Sequence, residues 1–314
     1  MRRSSSSSRI RAFGTSGPRI SPQVIVCALG LVAIFAGAIL SPVSFSQEKV
    51  DRAPALSWAP PHVFDPVPSL STTPPCVLPD VLKQTGRRAE ELIEHLQNFN
   101  ALEHVRYEEI DRDGMSETSL SGKFDYLVDF GEQSKPLGVH EIRSSFPGTD
   151  NTELNSRLDT GLPALALIFH PSIQGDYEMR CEGLTQWDNQ AAWVIYFSQI
   201  SAKKPRAITM VTPLGSYPLS IRGRAWIAAD SGHLMHLETN LVKSVPAIGL
   251  RANAASIDYA PVKFKSRDVE FWLPIAAVAY ADYGKNRTII EHTFSDFRLF
   301  SVHTDQVVEE PKTP

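Results

Sequence analysis

The sequence predicts an α+β fold in which one long helix precedes a run of antiparallel strands. Three observations carry that expectation. Leu120, Gly122, Phe124, Tyr126, Val128 and Phe130 alternate with Ser121, Lys123, Asp125, Leu127 and Asp129, a period of two that suits a strand with one wet face. Residues 219–228 and 233–241 flank Asp230, Ser231 and Gly232, a turn of the Asp/Gly type that closes a hairpin. Ala89, Leu92, Ile93, Leu96 and Phe99 recur at helical spacing and give an apolar stripe that needs a surface to pack on.

The elements follow in order. A helix is expected over about 79–98, because Pro79 suits a first turn and Asn98 or Asn100 a stop, while Gly86 weakens its middle. Val105 and Tyr107 predict a strand, and Asp111 to Gly114 the turn into the alternating run. The apolar stretch 162–173 predicts a short helix laid on the sheet and stopping before Pro171. Residues 192–199 are apolar on both faces and predict a central strand. In the arm after Gly232, alternation puts Met235, Leu237, Thr239 and Leu241 on one face and His236, Glu238 and Asn240 on the other. Strands over 256–259, 269–273, 276–283 and 288–300 continue the series, the last two joined by Tyr283, Gly284, Lys285 and Asn286. Nine or ten strands joined by short turns predict an antiparallel meander rather than βαβ units.

The ends of the chain read differently. Residues 1–46 hold Arg2, Arg3, Arg9, Arg11 and Arg19 and no acidic residue, followed by an apolar run over 24–40. Ser44 and Ser46 stand at −3 and −1 of a cut after Ser46, the layout of a secretory signal peptide. The run is also near the length of a membrane span, so the alternative is an uncleaved anchor in the inner membrane. Either way the body is expected in the periplasm or another extracytoplasmic space. Eight of the 23 prolines fall between Pro54 and Pro79, so 47–79 reads as an extended linker, with Trp58 and Phe64 as docking points. Residues 80–303 form the body and 304–314 a polar tail.

Charge narrows the function classes. The net charge is −4, and without the five leading arginines it is −9. An acidic body lacks the basic face that nucleic acid requires, so no nucleic-acid partner is expected. Cys27 lies inside the apolar run. Cys76 and Cys181 are either a disulfide of an oxidising compartment or two separate thiols.

The hairpin over 222–238, RGRAWIAADSGHLMHLE, resembles the G-x-x-W-I-D-x-x-x-G-x-L-x-R-L-E hairpin of periplasmic outer-membrane lipoprotein carriers. Tyr259, Val262, Trp272, Leu273 and Pro274 fit the step between strands of that group. The pieces 167–171, 180–184 and 295–300 are also similar to a group of exported acidobacterial proteins of unassigned function. The carrier resemblance implies a curved half-barrel with the helix packed on it, and a hydrophobic ligand such as a lipid or lipoprotein acyl chain. In such a fold Phe124, Tyr126, Trp193, Ile195, Phe197, Met235 and Leu237 are candidates to line an apolar groove. The carriers have an arginine where His236 stands, so no binding residue transfers one to one. The alternative function is a membrane-tethered scaffold that binds an envelope protein.

No motif points to catalysis, a metal or a cofactor. His233 and His236 fall on opposite faces of a strand, which does not suit zinc. There is no G-x-S-x-G elbow, and Gly215 and Gly223 form no phosphate loop.

Overall fold

In a computed structural model, residues 56–96, 98–130, 139–158, 161–206, 208–212, 215–264 and 269–299 are described. The export segment with its cut after Ser46, the run 24–40 and the tail 304–314 lie outside them. Among the described residues no helix is long and apolar enough to cross a membrane.

Helix α1 is Leu78–His95, and α2, Thr152–Asn155, and α3, Pro171–Gln174, are single turns. The strands are β1 Asn98–Ile110, β2 Ser116–Asp129, β3 His140–Ser145, β4 Tyr177–Trp187, β5 Gln190–Gln199 and β6 Thr209–Thr212. They continue as β7 Gly215–Pro218, β8 Ile221–Ala228, β9 Leu234–Leu241, β10 Ala252–Phe264, β11 Val269–Asp282 and β12 Arg287–Leu299. Ten of them make one open antiparallel sheet in the order β3-β2-β1-β12-β11-β10-β9-β8-β5-β4, and β6 pairs with β7 alone.

The first strand pairs with the last: Val105 sits opposite His292, and Tyr107 opposite Ile290. This splits the meander and leaves β3 and β4 at opposite edges. The chain must therefore cross a whole face of the sheet between them, and it does so through α2, a 3-10 segment Pro163–Phe169, and α3. The apolar stretch expected to form a short helix is this crossing. Leu165, Ile168 and Phe169 pack onto Ile195 and Phe197 of β5, Ile227 of β8, Leu237 of β9 and Ile257 of β10. We call this the inner face.

Helix α1 lies over the crossing. Its buried positions are Val81, Thr85, Gly86 and Ala89, one apolar face at helical spacing. Helix and crossing approach closely at Gly86, where a Cβ would stand 2.9 Å from Gln174 Nε2, 3.2 Å from the Phe169 carbonyl oxygen and 3.3 Å from Pro171. The helix stops earlier than its stripe suggests, and Leu96 and Phe99 instead enter a separate cluster with Tyr126, Val128 and Phe130.

The proline-rich run is not a free spacer from residue 56 onward. Extended and poor in backbone donors, it docks on the outer face as a strap. Val63 is fully buried, its N–H donating to Asn240 Oδ1 at 3.0 Å, while Asn240 Nδ2 donates to the Pro61 carbonyl at 2.8 Å. Trp58 packs edge-on against Tyr280, and Phe64 lies under the Arg222 guanidinium. Ser71 then pairs with Leu184 on the β4 edge, and Cys76 is bonded to Cys181 with Cα atoms 6.3 Å apart. Gly183 (φ +147°) permits the crossing, since a Cβ there would meet the Ser71 oxygen at 2.5 Å.

Two local features depart from simple alternation. The expected strands 269–273 and 276–283 are one strand, β11, because Pro274 sits opposite Tyr259 where the β10 register shifts. A second shift, between Trp226 and Ile227 of β8, leaves Met235 unpaired and turns it outward.

Candidate functional site

Of the seven residues expected to line a groove, six are buried in the core and Trp193 is partly buried at its margin. Ile195, Phe197 and Leu237 are fully buried beneath the crossing, and Phe197 meets Phe169 and Tyr177 edge-on at 6.1 and 5.8 Å. Trp193 packs at the margin of the same cluster. Phe124 belongs to a different cluster, with Val105, Tyr107 and Leu154, and Tyr126 to a third with Phe99 and Phe294. Met235 packs with Val194 and Trp226 on the outer face, because of the bulge. The groove is filled because the crossing occupies it.

Space remains on either side of the 3-10 segment. One cavity, about 220 Å³, lies between α1 and the sheet. Its walls are Ala89 and Leu92 of α1, Ala166 and Phe169 of the crossing, and Leu234, Tyr259, Phe271 and Trp272 of the sheet. Arg88, Glu91, His95, His233 and Glu270 add polar groups to the lining. His233 stacks on Trp272 with ring centres 5.1 Å apart, and burial lowers its pKa. Apolar walls with a few polar groups are the composition of a site for an amphiphile. Periodicity could not find it, since the walls come from three distant segments.

The second cavity, about 160 Å³, lies under Leu162 and Leu165 and against β9–β12, with Thr239, Ala255, Ala279 and His292 in its lining. Behind His292 is a buried ionic network. Glu103 Oε1 accepts from His292 Nδ1 at 2.8 Å, and its carboxylate also accepts from Arg143 at 2.7 and 3.0 Å. Burial works to raise the Glu103 carboxyl, but the bonds from His292 and Arg143 outweigh it and hold its pKa below the usual value. Glu141 takes the opposite course. It accepts from Tyr126 at 2.7 Å and from the Gly161 N–H at 2.5 Å, yet burial prevails and raises its pKa. Burial likewise raises the Tyr126 hydroxyl, whose ring carries the Arg143 guanidinium at 4.8 Å.

His236 lies on the outer face, stacked on Trp187 at 4.0 Å and bonded through Nδ1 to Asp258 at 2.6 Å. Burial works to lower its pKa, and Asp258, together with the Glu238 carboxylate 3.6 Å from Nε2, overcomes this and raises it. His170 Nδ1 stands 2.8 Å from the Ser172 hydroxyl but also accepts the Ser172 N–H, which makes the pair a helix cap. Among the described residues no group of three or more His, Cys, Asp or Glu could hold a metal ion.

No protein-family model matches the chain, and no curated protein does. Several solved structures are similar to it, among them the following three. A DUF1329 family protein from Desulfovibrio piger is 10% identical, with a TM-score of 0.38, over 74% of this chain and 96% of that one. A putative outer membrane lipoprotein-sorting protein domain from Vibrio parahaemolyticus is 11% identical, with a TM-score of 0.37, over 74% of this chain and 93% of that one. The lipoprotein LppX of Mycobacterium tuberculosis is 14% identical, with a TM-score of 0.24, over 72% of this chain and 99% of that one.

Proposed function

We propose that this chain is an exported protein that binds one hydrophobic molecule, such as a lipid or the acyl chain of a lipoprotein, without catalysis. The observation that carries the reading is the cavity between α1 and the sheet, apolar along Ala89, Leu92, Phe169 and Trp272, with Arg88, Glu91 and His233 in the same lining. An acyl tail seated there gains about 0.8 kcal/mol per buried methylene, with the polar residues left for the head. In this reading residues 1–46 direct export, as a cleaved signal or as an anchor in the inner membrane. The body then works in the periplasm, where the Cys76–Cys181 bond is stable.

The test is displacement of a fluorescent fatty acid from the purified protein, with organic extraction and mass spectrometry of what co-purifies. Ala89→Leu narrows the cavity and is expected to weaken binding about tenfold or more, while Lys243→Ala, exposed and outside it, leaves binding unchanged. A protein that carries no lipid and ignores fatty acids of every length overturns the proposal.

A second reading, an envelope scaffold that binds another protein, is favoured by the β3 edge. β3 ends the sheet, and Ile142 on it is 54% exposed. An open edge strand with an exposed apolar side chain is a pairing surface. Cross-linking to an envelope protein that is lost in Ile142→Lys would support it.

A further inference from the structure

We infer that the cavity under Leu165 is a separate binding site for a small apolar molecule bearing one hydroxyl, of the size of a phenol or a short-chain alcohol. The site is independent of the cavity under α1, and nothing in the proposed lipid binding uses it.

The space has a sequence cause. Ala255 and Ala279 face each other as cross-strand partners on β10 and β11, and both line the cavity with Gly161 of the crossing. Two methyl groups and a glycine leave a void where the rest of the inner face carries Ile, Leu and Phe. Its volume, about 160 Å³, matches the roughly 150 Å³ apolar cavity that holds a benzene ring in an engineered protein. It is too small for a long acyl chain.

The cavity is not purely apolar. His292, 2% exposed, lines it, and so does Thr239, also 2% exposed. The ionised Glu103 can only accept, so His292 Nδ1 carries a hydrogen and donates to it. Nδ1 is thereby committed, and Nε2 is the ring nitrogen left for a ligand. The imidazole cannot turn freely, because Glu103 is itself clamped by two bonds from Arg143. A hydroxyl suits Nε2 in either protonation state, since it donates to a neutral ring and accepts from a charged one. Burying a ligand without such a group would leave the nitrogen unmatched.

The experiment uses the folded full chain titrated with phenol and with benzene, followed by calorimetry and saturation-transfer NMR. Phenol is expected to bind about tenfold more tightly than benzene, the worth of one hydrogen bond to a buried partner. Ala279→Leu fills the void and is expected to abolish both. His292→Asn places an amide N–H near the position of Nδ1, so the bond to Glu103 can persist while Nε2 is removed; phenol and benzene should then bind alike. Binding of neither probe, equal binding of both by the wild-type chain, phenol binding that survives Ala279→Leu, or a phenol preference that survives His292→Asn would each overturn the inference. None of these outcomes bears on fatty-acid binding under α1.

Discussion

Removing the Cys76–Cys181 bond should cost stability without rearranging the fold. The perturbation is the double variant Cys76→Ala/Cys181→Ala. The two residues are 105 apart in sequence, and the loop they close holds α1, β1 to β3 and the entire crossing. For a loop near 100 residues the chain-entropy account gives about 4.7 kcal/mol, while measured losses for native bonds run at about 2–5 kcal/mol. The native contacts around the bond do not depend on it. Ser71 pairs with Leu184 on both sides of its peptide, and the Thr185 hydroxyl donates to the Pro68 carbonyl at 2.8 Å. The effect should therefore come chiefly through the unfolded chain, and we expect a loss of about 3 kcal/mol. For a folded body of this size that is a fall of roughly 6–12 °C in Tm. Guanidinium unfolding of the oxidised wild type and the double variant measures it, with hydrogen exchange on β4 and the strap as a check on the native state. A loss below about 1 kcal/mol would refute the reasoning, and so would alkylation of both thiols in protein never exposed to reductant.

Three further outcomes follow from the same contacts. Glu103→Gln should cost about 3–5 kcal/mol, because it removes the carboxylate that the buried Arg143 binds at 2.7 and 3.0 Å and leaves it the more distant Glu141 at 3.7 Å, whereas Glu141→Gln should cost clearly less, because burial already favours the neutral form there; urea midpoints that reverse this order would sink the argument. His236 has its pKa raised on folding, so its contribution is fully present below its unfolded value of about 6.5 and is lost as pH rises through the folded value. The stability gap between wild type and His236→Gln, from urea titrations at pH 6 and pH 9, should therefore narrow toward the higher pH, and a gap that widens contradicts the assignment. Asn240→Ala removes both bonds that seat Pro61 and Val63, and limited proteolysis should then cut the strap faster while the sheet stays resistant; an unchanged cutting rate would mean that these bonds do not hold the strap.

Local patterns in the sequence were readable where one strand or turn decides the outcome. The alternation of Phe124, Tyr126 and Val128 and the turn at Asp230 to Gly232 depend on residues a few positions apart, and both lie where expected. The pairing of Val105 with His292 is 187 positions long-range, and no local signal reports it. Tyr177–Trp187 was unreadable as a strand because Arg180, Glu182 and Gln186 interrupt any apolar run; they are tolerated at an edge, where Arg180 covers Tyr196 at 3.6 Å. Alternation failed at Met235 for a definite reason, since one unpaired residue inverts the face of what precedes it. The strap was half legible: proline predicts an extended chain but carries no information about whether Asn240 waits to receive it.

The candidate site was the least legible part because it is defined by what covers the sheet rather than by the sheet. Once β1 pairs with β12, β3 and β4 stand at opposite edges, and the connection between them has to cross a face. It takes the inner face, where Leu165, Ile168 and Phe169 occupy the volume a groove would need. Space survives beside the crossing where small residues line it, Ala255 opposite Ala279 on one side and Ala89 with Ala166 on the other. The crossing is also tied down at both ends. Gln174 Nε2 donates to the carbonyls of Leu82 and Phe169, and Glu141 accepts the Gly161 N–H. A ligand longer than either cavity must break these bonds and shift the segment, whereas a small one enters without that cost. If the two proposed sites bind as argued, occupancy should depend on the strength of the ties at Gln174 and Glu141 as much as on the apolar walls, and ligand length should be the variable that separates them.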